Sequence, residues 1–148
     1  MMTDSQPRLT AVTLGVRDFH ASLSFYEALG FKRKMRATGD EVAFFDAGGA
    51  ILALYRWNDL ADDADLPAEP APQAFRGSTL AHNCRTDKKV DAFLAHAVKA
   101  GAKRLKPAHK TSYGGYSGYF ADPDGHPWEV VSAPGFTFAA DGRLILPD

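Results

Sequence analysis

Apolar positions alternate with small or polar ones along residues 9–16, and this period of two predicts a β-strand. Asp18 follows as a predicted N-cap, and apolar residues then recur at helical spacing until Gly30, which is placed to end the helix. The pattern next predicts a strand over residues 31–35 and a hairpin over residues 41–55 that turns at its central glycines. The first half therefore predicts one strand, one helix and three strands.

The same order of elements returns in the second half of the chain. Residues 78–84 predict a strand, Asp87 is placed to begin a helix, and Gly101 is placed to end it. A short strand is predicted over residues 103–106, before Pro107. Together with the two strands described next, these elements predict a structural repeat, which is inferred from order and length because the two halves share few identical residues.

Two further strands and one tight turn account for residues 113–131. Residues 122–125, Asp-Pro-Asp-Gly, supply the turn, since proline presets φ and glycine tolerates the left-handed geometry. After the turn, strand alternation places Trp128 on one face and Glu129 on the other. Glu129 is thus a carboxylate on a short, largely apolar strand, and its presence there requires an explanation.

The predicted elements group into one domain with four parts. The first module covers about residues 9–56, a linker about residues 57–77, the second module about residues 78–133 and a small C-terminal hairpin about residues 136–147. The linker is rich in acidic residues, proline and alanine, which favours a solvated loop, with a mobile lid over a pocket as the alternative.

Composition narrows the class of protein. The chain has 148 residues, 45% of them hydrophobic and 24% charged, as in an ordinary soluble globular domain. A net charge of −1 gives no basic surface for nucleic acid or for anionic membranes. No apolar run is long enough to cross a membrane, and the lone Cys84 favours a reducing, cytoplasmic location. The predicted partner is therefore a small molecule or another protein.

Two stretches of the chain carry a resemblance to a known family. LTAVTLGVRD with SLSFYEALGF near the start, and SGYFADPDGHPWEV near the end, resemble the vicinal oxygen chelate superfamily of glyoxalase, bleomycin-resistance-like and dioxygenase proteins. The resemblance covers about residues 9–133. It implies an α+β fold in which two βαβββ modules form a cupped mixed sheet around a cavity, completed as a homodimer.

Metal-dependent members of that superfamily hold a divalent ion with four inward positions, typically His, Glu, His and Glu. By the resemblance these positions fall on Ala11, on Leu52, on Thr79 or Leu80, and on Glu129. Only Glu129 has a side chain of the required type, whereas a protein metal site takes three or four ligands. The resemblance, read residue by residue, therefore predicts no metal and no other cofactor.

His82 is the one alternative for a displaced metal ligand. Strand alternation places it on the same face as Leu80 and Cys84, which is predicted to pack against the helix. A metal-dependent lyase or dioxygenase, in which His82, Glu129 and a residue from a partner chain or an unexpected register rebuild the site, stays open as a second hypothesis.

The preferred hypothesis is a metal-independent protein that binds a small molecule beside Glu129. A buried carboxylate needs a partner, so Glu129 either pairs within the core or faces a pocket and receives an amine or hydroxyl of a ligand. A third hypothesis, a metal-free isomerase that uses Glu129 as acid or base, requires a raised pKa for that carboxyl group. The predicted ligand-binding residues are Glu129, Asn83, Thr13, Leu52, Tyr113, Tyr116 and Tyr119.

Overall fold

The structure, a computed structural model, describes residues 7–69 and 74–148. It contains two βαβββ modules in sequence, which confirms the predicted α+β class and the repeat. The elements of the first module are β1 (Ala11–Val16), α1 (Phe19–Leu29), β2 (Lys32–Lys34), β3 (Val42–Asp46) and β4 (Ile51–Arg56). Those of the second are β5 (Leu80–Asn83), α3 (Asp87–Ala100), β6 (Lys103–Lys110), β7 (Tyr116–Ala121) and β8 (Pro127–Ser132).

Each module forms its own four-stranded sheet with the same topology. The strand orders are β1-β4-β3-β2 and β5-β8-β7-β6. In both sheets the first strand pairs in parallel with the last, and the other neighbours are antiparallel. The helix that follows each first strand makes this parallel return possible.

Both helices begin and end where the sequence predicts. The Asp18 carboxylate accepts a hydrogen bond from the Ala21 amide at 3.0 Å, and Gly30 ends α1 with φ of 124°. At the start of α3 the Thr86 hydroxyl accepts a hydrogen bond from the Lys89 amide at 3.2 Å.

The two helices and the inner faces of the two sheets share one hydrophobic core. Its buried side chains include Leu14, Val16, Phe25, Tyr26, Phe45, Leu54, Val90, Leu94, Phe120, Trp128 and Val130. Because side chains alternate along a strand, the residues between these core positions project from the opposite side of each sheet, here called its outer face. The outer faces therefore point away from the shared core.

Two predicted boundaries differ from the structure. The segment predicted as a linker begins with a two-turn helix, α2 (Trp57–Asp63), which is too short for hydrophobic periodicity to reveal it. Strand β6 also continues through Pro107 to Lys110 instead of ending at Lys106. Proline is tolerated there because β6 is the edge strand of its sheet.

The C-terminal hairpin forms as predicted, with β9 (Thr137–Phe138) paired to β10 (Leu144–Ile145). Among the described residues, no helix has the length and apolar character needed to span a membrane.

Candidate functional site

Glu129 lies on the outer face of the second sheet. Its neighbours in β8, Trp128 and Val130, are buried in the core, whereas the Glu129 side chain is half-buried on the other side. In the sheet register, Ala81 of β5 and Tyr119 of β7 lie directly beside it. The small Ala81 side chain leaves space next to the carboxylate, and Tyr119 supplies an aromatic ring with a hydroxyl.

The Glu129 carboxylate affects the ionisation of the Tyr119 hydroxyl. Partial burial, and then the negative charge and hydrogen bonding of Glu129, raise the pKa of the Tyr119 hydroxyl. Tyr119 thus stays protonated and is a hydrogen-bond donor at the edge of this surface.

A further polar group joins the same face. Asn83 of β5 pairs with Val131, two residues from Glu129 along β8, so its side chain also lies on the outer face. The structure therefore brings three of the predicted site residues together: Glu129, Asn83 and Tyr119.

Two other predicted tyrosines do not join this group in the same way. Tyr116 pairs with Ser132 and lies on the helix side of the sheet, where its hydroxyl donates a 2.6 Å hydrogen bond to Asp91 of α3. The prediction that it faces a pocket is wrong, because residues three apart in a regular strand lie on opposite faces. Tyr113 lies in the loop before β7 and is 60% exposed. Its hydroxyl makes the smallest contribution to the raised pKa of Tyr119, after burial and Glu129.

The first sheet places Thr13 on its own outer face. Thr13 pairs with Ala53 of β4, which in turn pairs with Phe44 of β3, so this face is mostly apolar. Leu52 does not belong to it. It is only 3% exposed and lies in the core, so the alignment that placed it inward was displaced by one residue relative to Ala53.

His82 lies on the helix side of its sheet, as its strand position predicts. Its ring packs against Phe93 of α3 with centroids 4.3 Å apart. Burial lowers the pKa of the His82 imidazole, so the neutral form is favoured. Since Glu129 projects from the other side of the sheet, the two side chains do not converge on one point.

The residues present do not fit a divalent metal ion. Within residues 7–69 and 74–148, no three His, Cys, Asp or Glu side chains converge on one point. The positions that the family resemblance assigns to ligands hold alanine, leucine, threonine or leucine, and one glutamate, and Ala53, the outer-face neighbour of Leu52, is not a ligand either. A single carboxylate supplies too few donor atoms for a transition metal or for an octahedral oxygen site.

The turn before β8 connects the two modules, a role that its turn signature does not reveal. The Asp122 carboxylate accepts hydrogen bonds from the amides of Asp124 and His126 at 2.9 and 2.8 Å. Its other oxygen accepts the Tyr26 hydroxyl of α1 at 2.6 Å, and the Trp128 indole donates to that hydroxyl at 3.1 Å. This network fixes the entry of β8 and hence the position of Glu129.

His126 extends the same connection. Its Nε2 lies 2.8 Å from the Gly15 carbonyl of β1, and its Nδ1 lies 3.2 Å from the Arg76 guanidinium. Because the guanidinium only donates and the Gly15 carbonyl only accepts, these contacts require Nδ1 to accept and Nε2 to donate. The ring also stacks on Trp57 of α2 with centroids 6.3 Å apart, so α2 is held against the junction of the modules.

Among the described residues, a cavity of about 890 Å³ is lined by Ala81 and Asn83 and also by Trp128 from the core side of the sheet. It is bordered by the β3–β4 turn, β5 and the C-terminal hairpin, and Glu129 is not among its lining residues. The half-buried Glu129 side chain therefore lies beside this cavity and not in its wall.

Comparisons with known proteins agree with this architecture. A family model described as Glyoxalase/Bleomycin resistance protein/Dioxygenase superfamily matches residues 8–130. Metallothiol transferase FosB from Shouchella clausii (strain KSM-K16) is 32% identical over 121 residues, which are 80% of this chain and 75% of FosB.

Solved structures show the same fold. A glyoxalase-related enzyme from Fulvimarina pelagi superposes with a TM-score of 0.85 at 33% identity. The superposition covers 97% of this chain and 100% of the Fulvimarina chain. A glyoxalase/bleomycin resistance protein/dioxygenase from Nocardioides gives a TM-score of 0.73 at 26% identity, with 88% and 87% of the two chains covered.

Proposed function

Because this chain belongs to the Glyoxalase/Bleomycin resistance protein/Dioxygenase superfamily, we propose that it binds a small molecule beside Glu129 without a metal ion. The observation that carries the proposal is the pairing of Glu129 with Tyr119 on the outer face, next to the small Ala81. A carboxylate acceptor and an aromatic hydroxyl suit a ligand with an amine or hydroxyl group. The ligand-type side chains needed for a metal are missing from the corresponding positions.

A second copy of the chain completes the pocket in this proposal. The outer faces of both sheets point away from the core, so the two halves of one chain cannot close on one ligand. The face around the exposed Thr13 and the partly exposed Phe44 in one copy is suited to cover the Glu129 face of another. Sedimentation equilibrium is expected to give twice the mass of the chain, and a monomer at all concentrations would contradict this part.

A small-molecule screen tests the binding function. Ligands found by thermal shift are titrated by calorimetry into the unaltered protein, Glu129→Gln and the control Glu41→Gln, which removes an exposed carboxylate from another part of the chain. We expect Glu129→Gln to lose binding with little change in melting temperature, and Glu41→Gln to bind normally. Unchanged binding by Glu129→Gln would contradict the proposal, and a large loss of stability instead would assign Glu129 a structural role.

The similarity to a metallothiol transferase favours a second candidate, a metal-dependent enzyme of the same superfamily. Glu129 is the one position of the expected ligand set that keeps a suitable side chain, and His82 projects from the opposite side of the sheet. This candidate therefore requires ligands outside that set. Thermal shift with divalent ions distinguishes the two, because a tight metal would stabilise the unaltered protein and not Glu129→Gln.

A further inference from the structure

Lys106 lies in one row with Tyr119 and Glu129 across the outer face of the second sheet. Tyr119 pairs with Glu129 on one side and with Lys106 of β6 on the other. Neighbouring strands are about 4.8 Å apart, so the backbones of Lys106 and Glu129 are separated by about 10 Å. A cation, an aromatic ring with a hydroxyl and an anion thus follow one another across the sheet.

The register of β6 explains why a lysine occupies this position. Arg104 pairs with Phe120, and in a regular ladder Leu105 would then lie opposite Tyr119. An irregularity between Arg104 and Lys106 places Lys106 there instead. A second irregularity, between Lys106 and His109, brings His109 opposite Ser117. Irregularities of this kind re-aim side chains and are frequent beside binding sites.

The glycine at position 118 allows this distortion. A Cβ atom there would lie 2.9 Å from the Lys106 carbonyl oxygen and from the Ala108 amide nitrogen. The displaced backbone of β6 therefore approaches β7 more closely than any side chain would permit.

Within the part of the chain that the structure describes, the Lys106 ammonium group has no carboxylate partner. Among the described residues it forms no ion pair within 4.0 Å, whereas Lys110 on the same strand is bonded to Asp87 at 2.7 Å. The other basic groups on this part of the outer face are His109 and Lys103, which pair with Ser117 and Ala121. Glu129 is the one carboxylate in the row, and it is two strands away.

From these observations we infer that Lys106 determines specificity by binding an anionic group of the ligand. The inference rests on the proposed binding function of the Glu129 face. The site then takes an amphoteric aromatic compound, whose amine or hydroxyl meets Glu129, whose ring lies on Tyr119 and whose anionic group meets Lys106. Without Lys106, the charge of Glu129 would disfavour any anionic ligand at this face.

Three probes separate the contributions of the two charged residues. Calorimetry compares para-aminomethylbenzoate, which carries both charges, with benzylamine and para-methylbenzoate, which carry one each. The variants are Lys106→Met, Glu129→Gln and the control Lys110→Met, which removes the same charge from the same strand on its helix side. Thermal melting confirms that each variant is folded.

We expect the unaltered protein and Lys110→Met to bind para-aminomethylbenzoate roughly tenfold or more tightly than benzylamine. Lys106→Met is expected to bring that ratio to about one, since only the carboxylate contact is removed. Glu129→Gln is expected to weaken both amines.

Two other outcomes overturn the inference in distinguishable ways. If Glu129→Gln weakens the amines but Lys106→Met leaves the ratio unchanged, Lys106 does not bind the anionic group, and the proposed function stands. If no probe binds, or if Glu129→Gln binds the probes as tightly as the unaltered protein does, the proposed function fails and the role of Lys106 fails with it.

Discussion

The Tyr26 hydroxyl donates a 2.6 Å hydrogen bond to Asp122, and this contact joins the helix of the first module to the turn that positions Glu129 in the second. Burial raises the pKa of Asp122, and burial together with the Asp122 charge raises the pKa of Tyr26 well above its ordinary value. Each of these buried polar groups has the other as a hydrogen-bond partner. The bond therefore helps to hold the first module against the second.

Tyr26→Phe is therefore expected to destabilise the protein by about 1–3 kcal/mol, because one oxygen of Asp122 and the Trp128 indole lose their partner. Urea denaturation measures the change. Tyr116→Phe is the matched control, since the Tyr116 hydroxyl makes a bond of the same 2.6 Å length to Asp91 near the surface. Its cost is expected to be roughly 0–1 kcal/mol. Equal effects of the two substitutions would show that burial of the Tyr26 bond does not matter.

His82→Phe is expected to change the pH dependence of stability. The pKa of His82 is lowered in the folded protein, so protonation favours the unfolded state. The stability that the neutral ring contributes is complete above its ordinary pKa of about 6.5 and is lost as the pH falls below that value. The variant also keeps an aromatic ring against Phe93.

Urea denaturation at pH 5 and pH 8 tests this expectation. The advantage of His82→Phe over the unaltered protein is expected to be larger at pH 5 than at pH 8. A difference that is independent of pH would mean that the environment of His82 does not disfavour its charged form.

Gly118→Ala is expected to destabilise the second sheet by about 1–3 kcal/mol. The added Cβ would meet the Leu94 side chain at 2.7 Å and the backbone of β6 at 2.9 Å, and backbone atoms cannot move aside cheaply. Gly15→Ala provides the comparison, because its nearest atom, 3.0 Å away, belongs to the Trp57 side chain. Thermal and urea denaturation are expected to rank Gly118→Ala as the more costly change, and the reverse order would contradict the close approach of β6 to β7.

The sequence predicts most of the fold because the residues that cap helices and form turns lie at the ends of segments with a clear hydrophobic period. Caps at Asp18 and Gly30 mark α1, and alternation separates Trp128 from Glu129. Leu52 could not be placed in the same way, because β4 is apolar at nearly every position. Alternation between apolar and polar residues therefore does not show which face each residue takes. Tyr116 could have been placed from the sequence, because it precedes Tyr119 by three residues, and residues three apart in a strand lie on opposite faces.

The remaining features depend on contacts between residues that are distant in the chain. The bond from Tyr26 to Asp122 spans 96 positions, and no local pattern indicates which hydroxyl a turn aspartate receives. The irregular register of β6 is likewise set by the pairing with β7. The sequence therefore predicts that Glu129 lies on the face opposite the core, but it cannot place Lys106 in the same row, two strands away.

The metal content of the protein tests the central claim most directly. Untagged protein, purified without chelators, is analysed for transition metals, calcium and magnesium beside Glu129→Gln. We expect well below one ion per chain in both, because Glu129 lacks the additional ligands that a divalent ion requires. One tightly bound ion per chain that disappears in Glu129→Gln would contradict metal-independent binding at this face.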